Sequence, residues 1–326
     1  MKRNIVVFGA TGDIGKYFID YLMNNINFDE YAIIAVGTRD SSYFDRIGIK
    51  YIKVDITRKE QFVRLPDDIY AAVHLAGAMP AKMHGFFPNQ YIDVNINGTV
   101  NILEYCLRSH ADRIIYGHSF GDIKDNAERD IVLRVDSPIN FSFRSDHTVY
   151  VISKIAAVNI IKYYYEVYGL KYFILRLPNI YMYSSSDSFC VNGVERKIAF
   201  RYMIDQAIKG EDIEVWGDYT RVKDMVYVKD LCQMLYKCIL IDRETGFYNV
   251  GTGIGISLED QIKGIIRVFC ESKTSHLIYM PDKPNAPQYI MDIEAAKKEI
   301  GYTPAYSNYL FMLEDYKREM QEKRFE

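Results

Sequence analysis

Asn4-Ile5-Val6-Val7-Phe8-Gly9-Ala10-Thr11-Gly12-Asp13-Ile14-Gly15 stands near the head of a 326-residue sequence. Ile5 to Phe8 is an uninterrupted apolar run, the pattern of a strand buried on both faces. Three glycines follow, three residues apart, and a helical pattern then runs from Ile14 to about Asn24. A Gly-rich turn between a buried strand and a helix brings backbone N–H groups close to a pyrophosphate at the positive end of the helix. The stretch predicts a dinucleotide site whose phosphate-binding turn is Gly9, Thr11, Gly12, Asp13, Ile14 and Gly15.

Outward from this turn the chain alternates. Apolar strands are expected at Ala32–Val36, Tyr51–Val54, Ala71–Ala76, Arg113–Gly117 and Tyr172–Leu177, with helical stretches from Lys59, over Tyr91–Arg108 and over Tyr150–Tyr168. Fully apolar strands alternating with helices argue for an α/β fold with a doubly wound parallel sheet of Rossmann type. After Pro178 the pattern changes, the segment from Tyr181 is rich in Ser and Tyr, and no regular alternation is expected to return. Residues 1–178 and 222–252 are read as a dinucleotide-binding domain, and 179–221 and 253–326 as a smaller C-terminal α/β substrate lobe.

Composition narrows the partners. With 40 basic and 43 acidic residues the formal charge is -3, which asks for neither nucleic acid nor an anionic membrane. Cys106, Cys190, Cys232, Cys238 and Cys270 contain no C-x-x-C, so neither a disulfide framework nor a thiolate metal site is expected, and a reducing cytoplasm fits. Met1-Lys2-Arg3 before an apolar run looks like the start of a secretory signal, but the run breaks at Gly9 and meets Asp13. No stretch approaches the roughly 18 apolar residues of a membrane span. The reading is a soluble cytoplasmic protein with a small-molecule partner.

Tyr150 and Lys154 form Y-x-x-x-K on an expected helix, so the two side chains share a face one turn apart. A phenol of ordinary pKa about 10 needs roughly 3 to 4 kcal/mol of help to act as a base near neutrality. One ammonium about 4 Å away supplies approximately that at an effective dielectric of about 20. Tyr150 is thereby expected to exchange a proton with a hydroxyl or ketone while hydride moves to or from a nicotinamide.

The spacing G-x-x-G-x-x-G, Asp55-Ile56, His74-Leu75-Ala76-Gly77, Asp93-Val94-Asn95-Ile96-Asn97-Gly98-Thr99 and the Tyr150/Lys154 pair together resemble the extended short-chain dehydrogenase/reductase superfamily of nucleotide-sugar epimerases, dehydratases and reductases. The resemblance spans nearly the whole chain. It implies that Asp55 and Ile56 hold the adenine, that Leu75, Ala76, Gly77, Asn95 and Pro178 lie along the cofactor, and that Ser119 orients the reacting oxygen. Arg176-Leu177-Pro178-Asn179-Ile180-Tyr181 is similar to R-x-x-N-x-Y-G, which makes Asn179 a substrate-diphosphate contact. Trp216-Gly217-Asp218 and Arg221-Val222-Lys223-Asp224 resemble a further substrate motif in which Lys223 replaces an arginine and Arg221 compensates. Trp216 is read as either core or a platform for the substrate base. The family's late arginine has no clear counterpart in Asn285-Ala286-Pro287-Gln288. Phe120-Gly121 stands where 4,6-dehydratases carry an Asp-Glu pair, which disfavours dehydration. His118 is read as a structural hydrogen-bonder.

For the cofactor, Val36-Gly37-Thr38-Arg39-Asp40 puts glycine in the usual acidic slot, leaving room for a 2′-phosphate held by Thr38 and Arg39. NADP(H) is favoured, and NAD stays open through Asp40. The helix over Val151–Tyr168 is apolar nearly all round, so one face needs a partner, and the family commonly pairs such helices in a homodimer. The function implied is NAD(P)-dependent oxidoreduction on the hexose ring of a nucleotide-diphosphate sugar, at carbon 4, as a 4-ketoreductase or a 4-epimerase. The alternative of another class is a catalytically silent, NADP(H)-sensing regulatory protein.

Overall fold

The structure, a computed structural model, describes residues 2–145, 147–191, 194–271 and 275–325. Seven strands make the central sheet: β1 (Arg3–Phe8), β2 (Tyr31–Gly37), β3 (Lys50–Lys53), β4 (Ala71–His74), β5 (Arg113–Ser119), β6 (Lys171–Leu177) and β7 (Thr245–Asn249). They run parallel in the order β7-β6-β5-β4-β1-β2-β3. The direction of winding reverses between β1 and β4, and the crevice beyond the carboxyl ends there is where open α/β sheets take ligands. The expected doubly wound α/β fold is observed.

Both sheet faces are covered, and β1 shows why its sequence has no polar interruption. Ile5 and Val7 enter one core with Phe18 and Leu22 of α1 (Asp13–Asn25) and with Leu231 and Leu235. Val6 and Phe8 enter the opposite core with Ile102 and Cys106 of α2 (Gly98–Arg108) and Ile161 of α3 (Thr148–Tyr168). Each such side chain contributes about 2 kcal/mol on burial.

Several elements differ from expectation. The stretch from Lys59 is a tight 3-10 turn, Lys59–Arg64, rather than an α-helix. The expected helix Tyr91–Arg108 is a short turn at Pro88–Tyr91, a wide π-helical turn at Ile92–Asn97, and then α2. The wide turn lets Asn95 and Thr99 both face inward, where the Thr99 hydroxyl donates to the Asn95 carbonyl at 2.7 Å and contacts His74 Nε2 at 3.0 Å. Regular helices also persist after Pro178: α4 (Ala199–Lys209), α5 (Val228–Leu240), α6 (Leu258–Phe269) and α7 (Tyr309–Gln321). The expected loss of alternation holds only in part: Thr245–Asn249 joins the main sheet as β7, whereas other strands of this region pair into two-stranded ribbons, such as Ile213–Trp216 beside Leu277–Met280.

Candidate functional site

A cavity of about 2120 Å³ opens at the strand ends around the β1/β4 reversal. Its floor is the turn after β1. Gly9 has φ +85°, and a Cβ there would lie 2.6 Å from the Ala76 backbone nitrogen, so the turn is pressed against the exit of β4. A Cβ on Gly15 would collide with the Gly9 carbonyl. Helix α1 begins at Asp13 with no side chain capping it. An uncapped helix start beneath a glycine cradle is a place for an anionic diphosphate, and the residues present fit a dinucleotide there.

Thr38, Arg39, Asp55 and Ile56 line one end of the cavity. The Thr11 side chain fills the space beside Gly37, where a Cβ would lie 2.6 Å from its hydroxyl oxygen. Arg39 donates to the Thr11 carbonyl, and its own carbonyl accepts from Tyr51. Asp40 points outward to Lys53 at 2.8 Å. Asp55 Oδ1 accepts from the backbone N–H and the hydroxyl of Thr57, at 2.9 and 2.8 Å.

Leu75, Ala76, Gly77 and Pro178 continue the wall toward Ser119, Tyr150 and Lys154. Ser119 ends β5, its Oγ accepts from the Gly121 N–H at 3.1 Å, and it shares a hydrogen bond with Tyr150 in the first turn of α3. Lys154 is buried one turn on. Its Nζ donates to the Gly117 carbonyl at 2.6 Å and lies 4.1 Å from the Tyr116 ring centre. Burial lowers Lys154 to about 7 and raises Tyr150 above its ordinary value, with Ser119 pulling the other way. The Lys154 ammonium is expected to help Tyr150 act as a base; here its hydrogen bond goes to the Gly117 carbonyl, with the Tyr116 ring beside it.

On the far wall stand Asn179, Arg221 and Lys223. Arg221 Nε donates to the Ala286 carbonyl at 2.7 Å, so the segment without a late arginine is held by this earlier one. Lys223 Nζ lies 5.4 Å from the Tyr181 ring centre and 5.8 Å from that of Tyr289. Two expected site residues are not on the wall. Trp216 lies outside the cavity, because strand alternation buries Ile213 and Val215 and turns Glu214 and Trp216 outward. Its Nε1 donates to Glu214 at 2.7 Å and Lys283 covers its ring. Asn95 sits behind the wall: it accepts from the Ala78 N–H at 2.8 Å and donates to the Ala78 carbonyl at 3.1 Å and to Ser153 Oγ at 2.9 Å.

His118 lies in a buried polar cluster. Its Nε2 contacts Asp122 Oδ2 at 3.0 Å, and Arg176 reaches the same oxygen at 2.9 Å. Burial pushes the Asp122 carboxyl up, but His118 and Arg176 overcome it and hold the group low. Arg176 also donates to the Val135 carbonyl and to Asn249, tying β6 to β7 and to the loop before α3. Sequence reasoning missed Lys16, Lys82, His84, Lys124, Cys190 and Arg201, which also line the cavity. Each is a lone polar residue in an irregular or amphipathic stretch, with no spacing to mark it.

Among the described residues no helix is long and apolar enough to cross a membrane. The profile of the NAD dependent epimerase/dehydratase family matches residues 5–251. The chain is 26% identical over 305 residues to a putative UDP-glucose 4-epimerase of Methanocaldococcus jannaschii, covering 92% of this chain and 93% of that protein. It is 25% identical over 337 residues to the dTDP-glucose 4,6-dehydratase of Haemophilus influenzae, covering 92% and 93%. The crystal structure of a UDP-glucose 4-epimerase with UDP-glucose, from Thermotoga maritima, superimposes with a TM-score of 0.77 at 21% identity, covering 98% of this chain and 99% of that one.

Proposed function

The chain belongs to the NAD dependent epimerase/dehydratase family, and we propose that it catalyses NAD(P)-dependent oxidoreduction at carbon 4 of the hexose in a nucleotide-diphosphate sugar. The observation that carries this reading is the convergence, in one cavity, of the phosphate turn, the Ser119/Tyr150/Lys154 group, and Asn179, Arg221 and Lys223 opposite. A bound dinucleotide supplies the hydride donor or acceptor. Asn179, Arg221 and Lys223 hold the substrate diphosphate, a lysine keeping the charge of the arginine it replaces without its planar fork. Ser119 orients the reacting oxygen, and Tyr150 takes the proton from a C4 hydroxyl or returns it to the C4 ketone. Lys154 holds the Gly117 carbonyl, fixing the end of β5 behind Ser119, and adds positive charge to the pocket whenever it is protonated.

We include NADP(H) as the favoured dinucleotide, on the strength of Arg39 beside a slot that Thr11 and Gly37 leave without a carboxylate, and with NAD as the alternative. The division at 178, 221 and 252 into a dinucleotide domain and a substrate lobe belongs to the same proposal. So does a homodimer through α3, whose Ile152, Tyr163 and Val167 lie on one exposed stripe. Dehydration is left out: a Cβ on Gly121 would lie 2.9 Å from Val151, and Phe120 packs on Tyr289, so that corner carries no acid–base pair.

The test is a panel of UDP- and dTDP-hexoses deuterated at carbon 4, with either dinucleotide. The proposal expects a primary isotope effect, with deuterium either back at carbon 4 of an epimer or carried onto the dinucleotide. Loss of the deuterium to water, or turnover with no isotope effect, contradicts it.

A further inference from the structure

The stretch between β4 and the turn at Pro88 runs as a strap along one wall of the cavity. Leu75 to Lys82 and His84 all line it. The underside of the strap is apolar: Ala78 and Met83 are buried in one cluster with Tyr91, against which Val94 and Tyr150 pack. Its outer surface is packed only in part: Pro80 is buried near the strand Ser188–Val191, whereas Met79, Phe86 and Phe87 are exposed. Polar fasteners from three other parts of the fold add to this packing.

Asn95, in the π-helical turn, grips both backbone groups of Ala78. Lys82 Nζ reaches across to Asp13 Oδ2 at 3.1 Å, at the first turn of α1. Cys190 Sγ, on the strand Ser188–Val191, contacts His84 Nδ1 at 3.4 Å. The last two contacts join the strap to the turn after β1 and to the paired strands Ser188–Val191 and Val194–Lys197, and each links residues 69 or more positions apart in sequence. The Asn95 grip is buried, whereas Lys82, Asp13 and His84 are reached by solvent. The strap is therefore anchored at its β4 end and fastened by two breakable contacts at its outer end.

We infer that Lys82–Asp13 and His84–Cys190 are the two fasteners of a strap that governs release of the dinucleotide and keeps Tyr150 covered between turnovers. The inference rests on the reading of the cavity as a dinucleotide and nucleotide-sugar site. Slow release suits a reaction in which hydride removed from a carbon is returned to that carbon, with no net oxidant or reductant consumed. The strap thus favours the 4-epimerase form of the proposal over a reductase that exchanges its cofactor every cycle. Lys82, His84 and Cys190 act here as positioning residues.

Stopped-flow displacement of bound NADPH, or NADH, from the full-length protein tests it. Lys82 also brings charge toward a diphosphate, so the informative changes are on the other partners. In Asp13→Ala the fastener is lost and a carboxylate is removed from beside the phosphates. The strap predicts faster release, whereas a purely electrostatic role for Asp13 predicts slower release. Cys190→Ala touches no phosphate at all. Asp13→Ala and Cys190→Ala are each expected to raise the dissociation rate, Cys190→Ala about threefold, the scale of a single polar contact, and the double variant further, with the association rate and thermal midpoint of Cys190→Ala unchanged. Release unchanged in the double variant, or slowed in Asp13→Ala, overturns the inference while leaving the proposed reaction standing. A wild-type protein that binds neither NADPH nor NADH overturns the dinucleotide reading and the strap with it.

Discussion

Lys154 gives its short hydrogen bond to the carbonyl of Gly117, 37 residues earlier in the chain, and not to the tyrosine one turn before it. An amine so buried has its pKa lowered to about 7, below the roughly 10.4 of an unfolded lysine.

Between those two values the unfolded chain binds more protons, so this residue's contribution favours the folded state increasingly as pH rises from about 7 toward 10. Below 7 the penalty is at its full size. Lys154→Met removes it, so the thermal midpoint of wild type relative to Lys154→Met should climb between pH 6.5 and 9.5. A constant difference across that range in thermal unfolding would contradict the burial argument.

His74 shows the same sign at lower pH. It is fully buried, contacts Thr99 Oγ1, and burial lowers it to about 3. The unfolded chain then binds more protons between about 3 and 6.5, and stability is lost as pH falls through that window. From pH 6.5 to pH 5 the loss from this residue is about 2 kcal/mol. Urea unfolding of His74→Gln should show a flatter acid limb than wild type, and an equally steep one would show that another group is responsible.

The proposed preference for NADP(H) rests on Arg39, which donates to the Thr11 carbonyl, and on the packing of Thr11 against Gly37. Arg39→Ala should lower the affinity ratio of NADPH to NADH about tenfold, the value of one charge-assisted phosphate contact. Gly37→Asp alone should impair binding of both dinucleotides, because the new side chain meets Thr11. The double change Thr11→Gly with Gly37→Asp should recover NADH binding. Equilibrium titration by fluorescence distinguishes these outcomes.

The exposed stripe of α3 gives a prediction about assembly. Tyr163→Glu with Val167→Glu puts two charges on it, well away from Tyr150, and should convert a dimer to a monomer in sedimentation velocity. A wild-type protein that sediments as a monomer would remove the dimer from the proposal.

The sheet was legible because its strands are buried on both faces. Residues 5 to 8, 71 to 73 and 114 to 116 have no position that water reaches, and the sequence is apolar at every one. The tight turn after β1 was legible because only glycine fits at Gly9 and Gly15. Trp216 misled because a motif places a residue along the chain but not on one side of a ribbon, and alternation with Val215 decided the side. Asn95 misled for a related reason: the π-helical turn that rotates it behind the wall leaves no trace in hydrophobic periodicity. The strap residues Lys82, His84 and Cys190 could not be seen, since their partners are brought together only by tertiary structure.

The central claim is that Tyr150 moves the proton that accompanies hydride transfer on the sugar ring. The most direct measurement compares wild type with Tyr150→Phe on the best nucleotide hexose, following turnover and dinucleotide binding in the same preparations. The account predicts a loss of at least about a hundredfold in kcat, the usual size of a general acid–base contribution, with the dinucleotide Kd little changed. Unchanged turnover in Tyr150→Phe would contradict it, and dinucleotide binding with no turnover in either protein would point instead to a catalytically silent sensor.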